Sequence, residues 1–129
     1  MRSEDLVKAA REGMQKAYAP YSGFKVGAAV LGSSGKVYTG SNIENASYGL
    51  SVCAERVAIF SAIHAGEEEL DAIAIISSGK EQVKPCGACR QVMAEFNPDM
   101  AVILADGEGN FEEYSLKDLL PGMFVLKKD

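Results

Sequence analysis

The three cysteines of this chain form a pattern that can hold one metal ion. Cys53 stands alone, and Cys86 and Cys89 follow about thirty residues later as a C-x-x-C segment. Cysteine thiolates are typical zinc ligands, and three protein ligands leave the fourth tetrahedral position open for water, as in catalytic sites. Glu55 lies two residues beyond Cys53, where its carboxylate can transfer protons. We therefore predict one catalytic Zn²⁺ on these cysteines, with Glu55 as general acid and base.

Both cysteine segments precede predicted helices, one over residues 53–65 and the other over residues 87–96. The N-terminus of a helix lowers the pKa of a thiol, which favours the thiolate that zinc requires. Cys53 and Glu55 are two residues apart, and such positions lie on opposite sides of a regular helix. Cys53 must therefore lie in an irregular first turn, and the metal would connect two helix starts and add stability.

Three thiolates weaken zinc as a Lewis acid, so hydrogen bonds to the sulfurs are expected to withdraw charge. Arg56 follows Glu55, and Arg90 and Gln91 follow the last cysteine. Arg56 is the first candidate for such a bond, and Gln91 is a further one.

Three other readings of the cysteines are possible. A redox C-x-x-C pair would leave Cys53 and Glu55 unexplained. A closed structural zinc needs a fourth ligand, and the only histidine, His64, lies about three helical turns beyond Cys53. A zinc-stabilised binding module is the non-enzyme alternative, in which Glu55 would have no chemical role.

Composition predicts a single domain that spans residues 1–129. A chain of 129 residues with 47% hydrophobic residues can bury a sizeable core. No apolar run approaches the roughly 20 residues that a membrane span needs, and no secretion signal opens the chain. Three reduced cysteines fit a cytoplasmic protein.

Charge argues against a nucleic-acid partner. The formal net charge is −5, and the densest basic cluster is the pair Lys127 and Lys128 near the end of the chain. Nucleic-acid affinity comes from neutralising phosphates with Lys and Arg, so an acidic surface disfavours a polynucleotide substrate.

Alternating helix and strand patterns predict an α/β fold. Apolar spacing indicates a first helix over residues 3–18, capped by Ser3, and then a hairpin of residues 25–31 and 36–39. Residues 42–49 have the composition of a loop. Buried strands are expected at 72–76 and 101–105, an edge strand at 111–115 and a short helix at 116–120. The prediction is a three-layer α/β/α sandwich around a mixed sheet of about five strands.

Four ordered segments, residues 18–29, 40–49, 53–56 and 85–91, carry a family resemblance. With them the chain resembles the cytidine deaminase family of free-nucleoside enzymes, in its short, zinc-dependent, homotetrameric form. The resemblance implies a hydrolase of pyrimidine salvage that converts cytidine and deoxycytidine to uridine and deoxyuridine plus ammonia. It also implies one zinc per subunit and pockets near the subunit interfaces.

The resemblance also assigns substrate contacts. It implies that Asn42 and Glu44 bind ribose hydroxyls and that Phe24 packs against the pyrimidine. It places Tyr48 and Ala54 in the pocket and extends Phe124 into a neighbouring subunit's pocket. The alternative is a deaminase of another cytosine nucleoside such as blasticidin S, against which the segment 42–46 argues.

Overall fold

Five strands form one mixed sheet that is covered by helices on both faces. The computed structural model describes residues 1–126, so the pair Lys127 and Lys128 lies outside the described residues. The elements in chain order are α1 (Ser3–Met14), β1 (Val26–Gly32), β2 (Val37–Ser41), a 3₁₀ turn (Tyr48–Leu50), α2 (Ala54–His64), β3 (Leu70–Ser77), α3 (Gly87–Phe96), β4 (Ala101–Ala105), β5 (Phe111–Ser115) and α4 (Leu116–Leu119).

The strands lie in the order β2-β1-β3-β4-β5. β3 and β4 are parallel and are joined through α3, whereas the other neighbouring strands are antiparallel. α1 packs on one face of the sheet, and α2, α3 and α4 pack on the other. The predicted three-layer α/β/α sandwich with a mixed five-strand sheet is confirmed.

The continuous apolar run of β3 reflects burial on both faces of the sheet. Ile73 and Ile75 belong to the core under α2 and α3, while Ala74 and Ile76 belong to the core under α1. A strand covered on both sides has no solvent face that would require polar residues. The helices that carry the cysteines therefore rest on a rigid central layer.

The first helix is shorter than the sequence predicts. It ends at Met14 instead of Tyr18, and its N-cap is Arg2, whose N–H donates to Asp5, instead of Ser3. Tyr18 pairs with the loop after β2, since its N–H donates to the carbonyl of Asn42 at 2.9 Å and its carbonyl accepts from Glu44 at 2.8 Å. This pairing requires extended backbone at Tyr18. Among residues 1–126, no helix has both the length and the apolar character of a membrane span.

Gly40 on β2 lets α2 lie directly against the sheet backbone. A Cβ added at Gly40 would lie 2.4 Å from the amide nitrogen of Ala58 and 2.6 Å from the carbonyl oxygen of Ala54. Neither backbone atom can move without shifting the first turn of α2, which follows Cys53 and contains Glu55.

Gly40→Ala is therefore expected to destabilise the protein by about 1–3 kcal/mol, as overpacked cores do. It should also weaken zinc retention, and thermal unfolding with zinc analysis measures both effects. Gly49→Ala is the matched control, because its Cβ would meet no atom within 4 Å. Equal stability of the two variants would contradict this account of the α2 contact.

Candidate active site

The three cysteine sulfurs converge where the starts of α2 and α3 meet. Cys53 is the N-cap of α2, and its extended backbone (φ −71°, ψ 150°) is the irregular position that its spacing from Glu55 requires. Cys86 is the N-cap of α3, and Cys89 lies in the first turn of that helix. The three Sγ atoms lie within 4.8 Å of one another, and all three thiols are free.

Two of the three sulfurs accept hydrogen bonds from nearby N–H groups. The N–H of Cys89 donates to Cys86 Sγ at 3.4 Å, and Arg56 Nη2 lies 3.5 Å from Cys53 Sγ. Arg56 Nε is buried and has no hydrogen-bond partner among the described residues. A buried cationic donor is costly unless negative charge lies close to it, so the surroundings of Arg56 favour thiolates.

The protonation of the cysteines indicates that the cluster fits a divalent cation. The hydrogen bond from Cys89, with further help from Arg56, lowers the pKa of Cys53 to about 5. The same hydrogen bond to Cys53 raises the pKa of Cys89, and burial raises it further. One thiolate therefore forms readily, and a second would add like charge beside it. A divalent cation relieves that repulsion and matches soft sulfur ligands, so the cluster fits the predicted Zn²⁺, one per subunit.

Glu55 lies beside this cluster and is almost completely buried. Its side chain belongs to the first turn of α2, and the residue is 4% exposed. Burial raises the pKa of Glu55, and the negative charge of Cys53 raises it further. A carboxyl group whose pKa is shifted towards neutrality can both accept and return a proton, which is the property that the predicted role needs.

A cavity of about 490 Å³ opens above Glu55 and the cysteines. Seven residues predicted for the site line it: Asn42, Glu44, Tyr48, Cys53, Ala54, Glu55 and Cys86. Sequence reasoning missed several others, including Tyr21, Ser22, Ser51, Val83 and Lys84. Tyr21 and Ser22 belong to the segment 18–29, but nothing in their types or spacing indicates a cavity.

The two sugar-binding candidates are held by hydrogen bonds to the start of β1 and to the residues just before it. Asn42 accepts a hydrogen bond from the N–H of Val26 at 2.9 Å and donates to the carbonyl of Phe24 at 2.8 Å. Glu44 accepts hydrogen bonds from the N–H groups of Tyr21 and Ser22 at 2.9 and 3.1 Å. Both side chains therefore have fixed orientations at the cavity wall.

Phe24, Phe124 and Gln91 are placed differently from the other candidates. The ring of Phe24 lies against Gly79, where an added Cβ would be 3.2 Å from it, and Phe124 is 68% exposed. Neither ring is among the residues that line the cavity of this chain. Gln91 donates to the carbonyl of Phe124 at 3.0 Å, and its contact with a sulfur stays a prediction.

Arg90 connects the cysteine turn to the C-terminal part of the chain. Its Nε donates to the carbonyl of Pro85 at 2.7 Å, and its Nη1 donates to the carbonyl of Leu119 at 2.6 Å. Pro85 immediately precedes Cys86, so the guanidinium fixes the backbone that presents the sulfur. Sequence reasoning expected Arg90 near the sulfurs, but its partners are these carbonyls.

Arg90→Ala is expected to lower zinc affinity by about 10- to 100-fold, the usual effect of removing a group that orients metal ligands. Competition with a chromogenic chelator measures this loss. Arg11→Ala is the matched control, because Arg11 donates in a similar way to the carbonyl of Gly107, on the other face of the sheet. Equal zinc affinity in the two variants would show that Arg90 does not support the metal site.

Comparisons with known proteins agree with this geometry. The family model for the cytidine and deoxycytidylate deaminase zinc-binding region matches residues 1–105. A cytidine deaminase of Halalkalibacterium halodurans is 50% identical over 126 residues, which cover 97% of this chain and 96% of the relative. One from Sporosarcina psychrophila is 45% identical over 125 residues, covering 96% and 92%.

A solved structure extends the likeness to the whole fold. The crystal structure of cytidine deaminase from Burkholderia pseudomallei superposes with a TM-score of 0.92 at 49% sequence identity, covering 96% of this chain and 100% of the other. The residues that the family model matches include all three cysteines, and the similar chains match this one over nearly its full length. The chain therefore belongs to the cytidine and deoxycytidylate deaminase family.

Proposed function

We propose that this protein is a zinc-dependent hydrolase that deaminates free cytidine and deoxycytidine to uridine and deoxyuridine, with release of ammonia. The observation that carries the proposal is the position of Glu55, buried beside three convergent thiols at the base of a cavity. Relatives that are 45–50% identical over nearly the whole chain are cytidine deaminases. The reaction belongs to pyrimidine salvage.

The chemistry requires protons to move between water, the pyrimidine ring and the leaving amine. Cys53, Cys86 and Cys89 would hold the zinc ion, which would supply Lewis-acid activation of water. Glu55 takes a proton from the attacking water and delivers it to ring N3 while the oxygen adds to C4. Glu55 then transfers the second proton to the amine on C4, which leaves as ammonia. Each proton thus passes through one carboxyl group, whose raised pKa suits both directions of transfer.

The part of the cavity that Asn42 and Glu44 line favours an uncharged sugar. Hydrogen bonds from Ser22 and Tyr21 lower the pKa of Glu44, although burial opposes the shift. The carboxylate is therefore ionised at neutral pH and would repel a 5′-phosphate that came close to it. Asn42 retains one N–H and one acceptor position for a sugar hydroxyl after its two bonds to backbone. These groups support nucleosides over nucleotides as substrates.

The working form is proposed to be a homotetramer with pockets near subunit interfaces. Tyr48 is 80% exposed and Phe124 is 68% exposed, so large apolar side chains lie uncovered at the cavity mouth and in the C-terminal segment. A neighbouring subunit that covers them would also allow Phe124 to close a pocket. Phe24 of this chain is proposed to contact the pyrimidine once a substrate is bound.

The chain is further proposed to be a single deaminase domain over residues 1–129 that works in the cytoplasm. The five-strand sheet draws on residues from 26 to 115, which supports one folding unit. A site of three unpaired thiols needs the reducing conditions of that compartment.

A substrate panel tests the proposed function. Loss of absorbance at the cytosine band should occur with cytidine and deoxycytidine, and not with CMP or blasticidin S. Conversion of blasticidin S alone would assign the same zinc chemistry to a different cytosine nucleoside. Activity on single-stranded DNA that falls with added salt would instead indicate a polynucleotide substrate.

A further inference from the structure

The same serine–glutamate arrangement occurs twice within residues 1–126. In the Ser22–Glu44 pair, the N–H and the hydroxyl of Ser22 both donate to the Glu44 carboxylate. In the Ser34–Glu67 pair, the N–H and the hydroxyl of Ser34 donate to Glu67 in the same way. Each serine oxygen also accepts the N–H two residues later, from Phe24 at 3.0 Å and from Lys36 at 3.3 Å. That bond leaves the hydroxyl hydrogen free to point at the carboxylate.

The two pairs differ in what surrounds the carboxylate. Glu67 is 9% exposed, receives a third donor from the Tyr38 hydroxyl at 2.8 Å, and is not among the residues that line the cavity. Glu44 is half-buried, and both it and Ser22 line the cavity above the cysteines. One pair therefore closes a hairpin against the end of α2, and the other faces the proposed substrate.

The hydrogen bonds of Glu44 leave a defined position for one further donor. Its Oε1 accepts from the N–H groups of Tyr21 and Ser22, which occupy both lone pairs of that oxygen. Its Oε2 accepts from the Ser22 hydroxyl alone among the described residues. A carboxylate oxygen has two acceptor positions, so Oε2 keeps one. Only a donor such as a sugar hydroxyl can use it.

We infer that Ser22 is a positioning residue for the sugar, which holds the Glu44 carboxylate so that the remaining acceptor position of Oε2 faces the cavity. This inference rests on the proposed function and adds Ser22 to the residues that determine its substrate specificity. The Ser22 hydroxyl is also the largest influence that lowers the pKa of Glu44, which keeps the carboxylate an acceptor. Ser22 acts through Glu44 and needs no contact with the reacting atoms.

Ser22→Ala removes the hydroxyl and leaves Oε1 bound to backbone, so the carboxylate can rotate away from the substrate. For cytidine, KM should rise about tenfold, in the range expected for a hydrogen bond to a charged group, while kcat stays within about threefold. Ser22→Thr, which keeps a hydroxyl, should restore KM. Ser34→Ala is the matched control and should lower the melting temperature without changing KM.

Substrates that lack one or two sugar hydroxyls separate a positioning role of Ser22 from general damage to the protein. The ratio of wild-type to Ser22→Ala kcat/KM is measured with cytidine, 5′-deoxycytidine and 2′,3′-dideoxycytidine, as in a double-mutant cycle. The loss should persist on one analogue and disappear on the analogue that lacks the hydroxyl that Glu44 binds. Ser22→Cys, with a weaker donor of similar size, serves for the same comparison if the alanine variant fails to fold.

The outcomes are distinct. An equal loss on all three substrates, or no loss on any, would overturn the role of Ser22 while cytidine turnover by the wild type still supported the proposed function. A zinc-loaded wild-type protein that converts none of the three would overturn the proposed function, and this inference with it.

Discussion

Glu55→Gln is expected to reduce the turnover of cytidine by about 10²- to 10⁴-fold, the usual contribution of a positioned general acid and base. Glutamine keeps the size of the buried side chain, but its amide cannot accept a proton from water or return it to the ring at neutral pH. Zinc content and the melting temperature should change little, because the residues that can hold the metal are the three cysteines and not Glu55. Steady-state kinetics on zinc-loaded protein measures the loss.

Glu67→Gln is the matched control for this variant. Glu67 is also a buried glutamate, and it bonds to Ser34 and Tyr38 instead of lining the cavity. Its substitution should lower stability and leave kcat nearly unchanged. Retained turnover in Glu55→Gln would refute the proton-transfer role, and an equal loss in both variants would attribute the effect to general disturbance of the fold.

Cys86→Ala is expected to abolish stable zinc binding and, with it, activity. The variant keeps two of the three thiols. The lost sulfur belongs to the N-cap of α3 and accepts a hydrogen bond from the N–H of Cys89. Metal analysis of the purified variant should find less than about a tenth of the wild-type zinc, because two thiolates hold the ion less tightly than three. The melting temperature should fall too, because the metal connects the starts of α2 and α3.

Ala88→Ser is the matched control, since Ala88 is an exposed neighbour in the same turn. It should bind zinc as the wild type does. Wild-type protein treated with a strong chelator should reproduce the lost activity and the lower melting temperature of Cys86→Ala. Full zinc occupancy in Cys86→Ala would contradict the assignment of its sulfur as a ligand.

Much of the site could be predicted because its residues are close in sequence or follow local rules. The C-x-x-C spacing and the helix start at Gly87 place two sulfurs without any knowledge of the fold. The two-residue spacing between Cys53 and Glu55 predicted that Cys53 lies outside the regular helix. The extended backbone angles of Cys53, just before α2, agree with that prediction. The apolar runs of β3 and β4 likewise indicated strands buried on both faces.

The features that sequence reasoning missed depend on contacts between distant segments. The end of α1 is set by the pairing of Tyr18 with the loop after β2, which no local signal reveals. The bond from Gln91 to the carbonyl of Phe124 depends on the path of the C-terminal segment. Ser22 and Glu44 are 22 residues apart, so their pairing also required the structure.

The measurement that tests the central claim most directly is the quantification of products from zinc-loaded protein and free cytidine. Chromatography for uridine and an ammonia assay are run on the same sample, beside Glu55→Gln and a sample with CMP. The proposed function predicts equal amounts of uridine and ammonia from cytidine, with almost none from the variant or from CMP. A folded, zinc-loaded protein that leaves cytidine unchanged would contradict it.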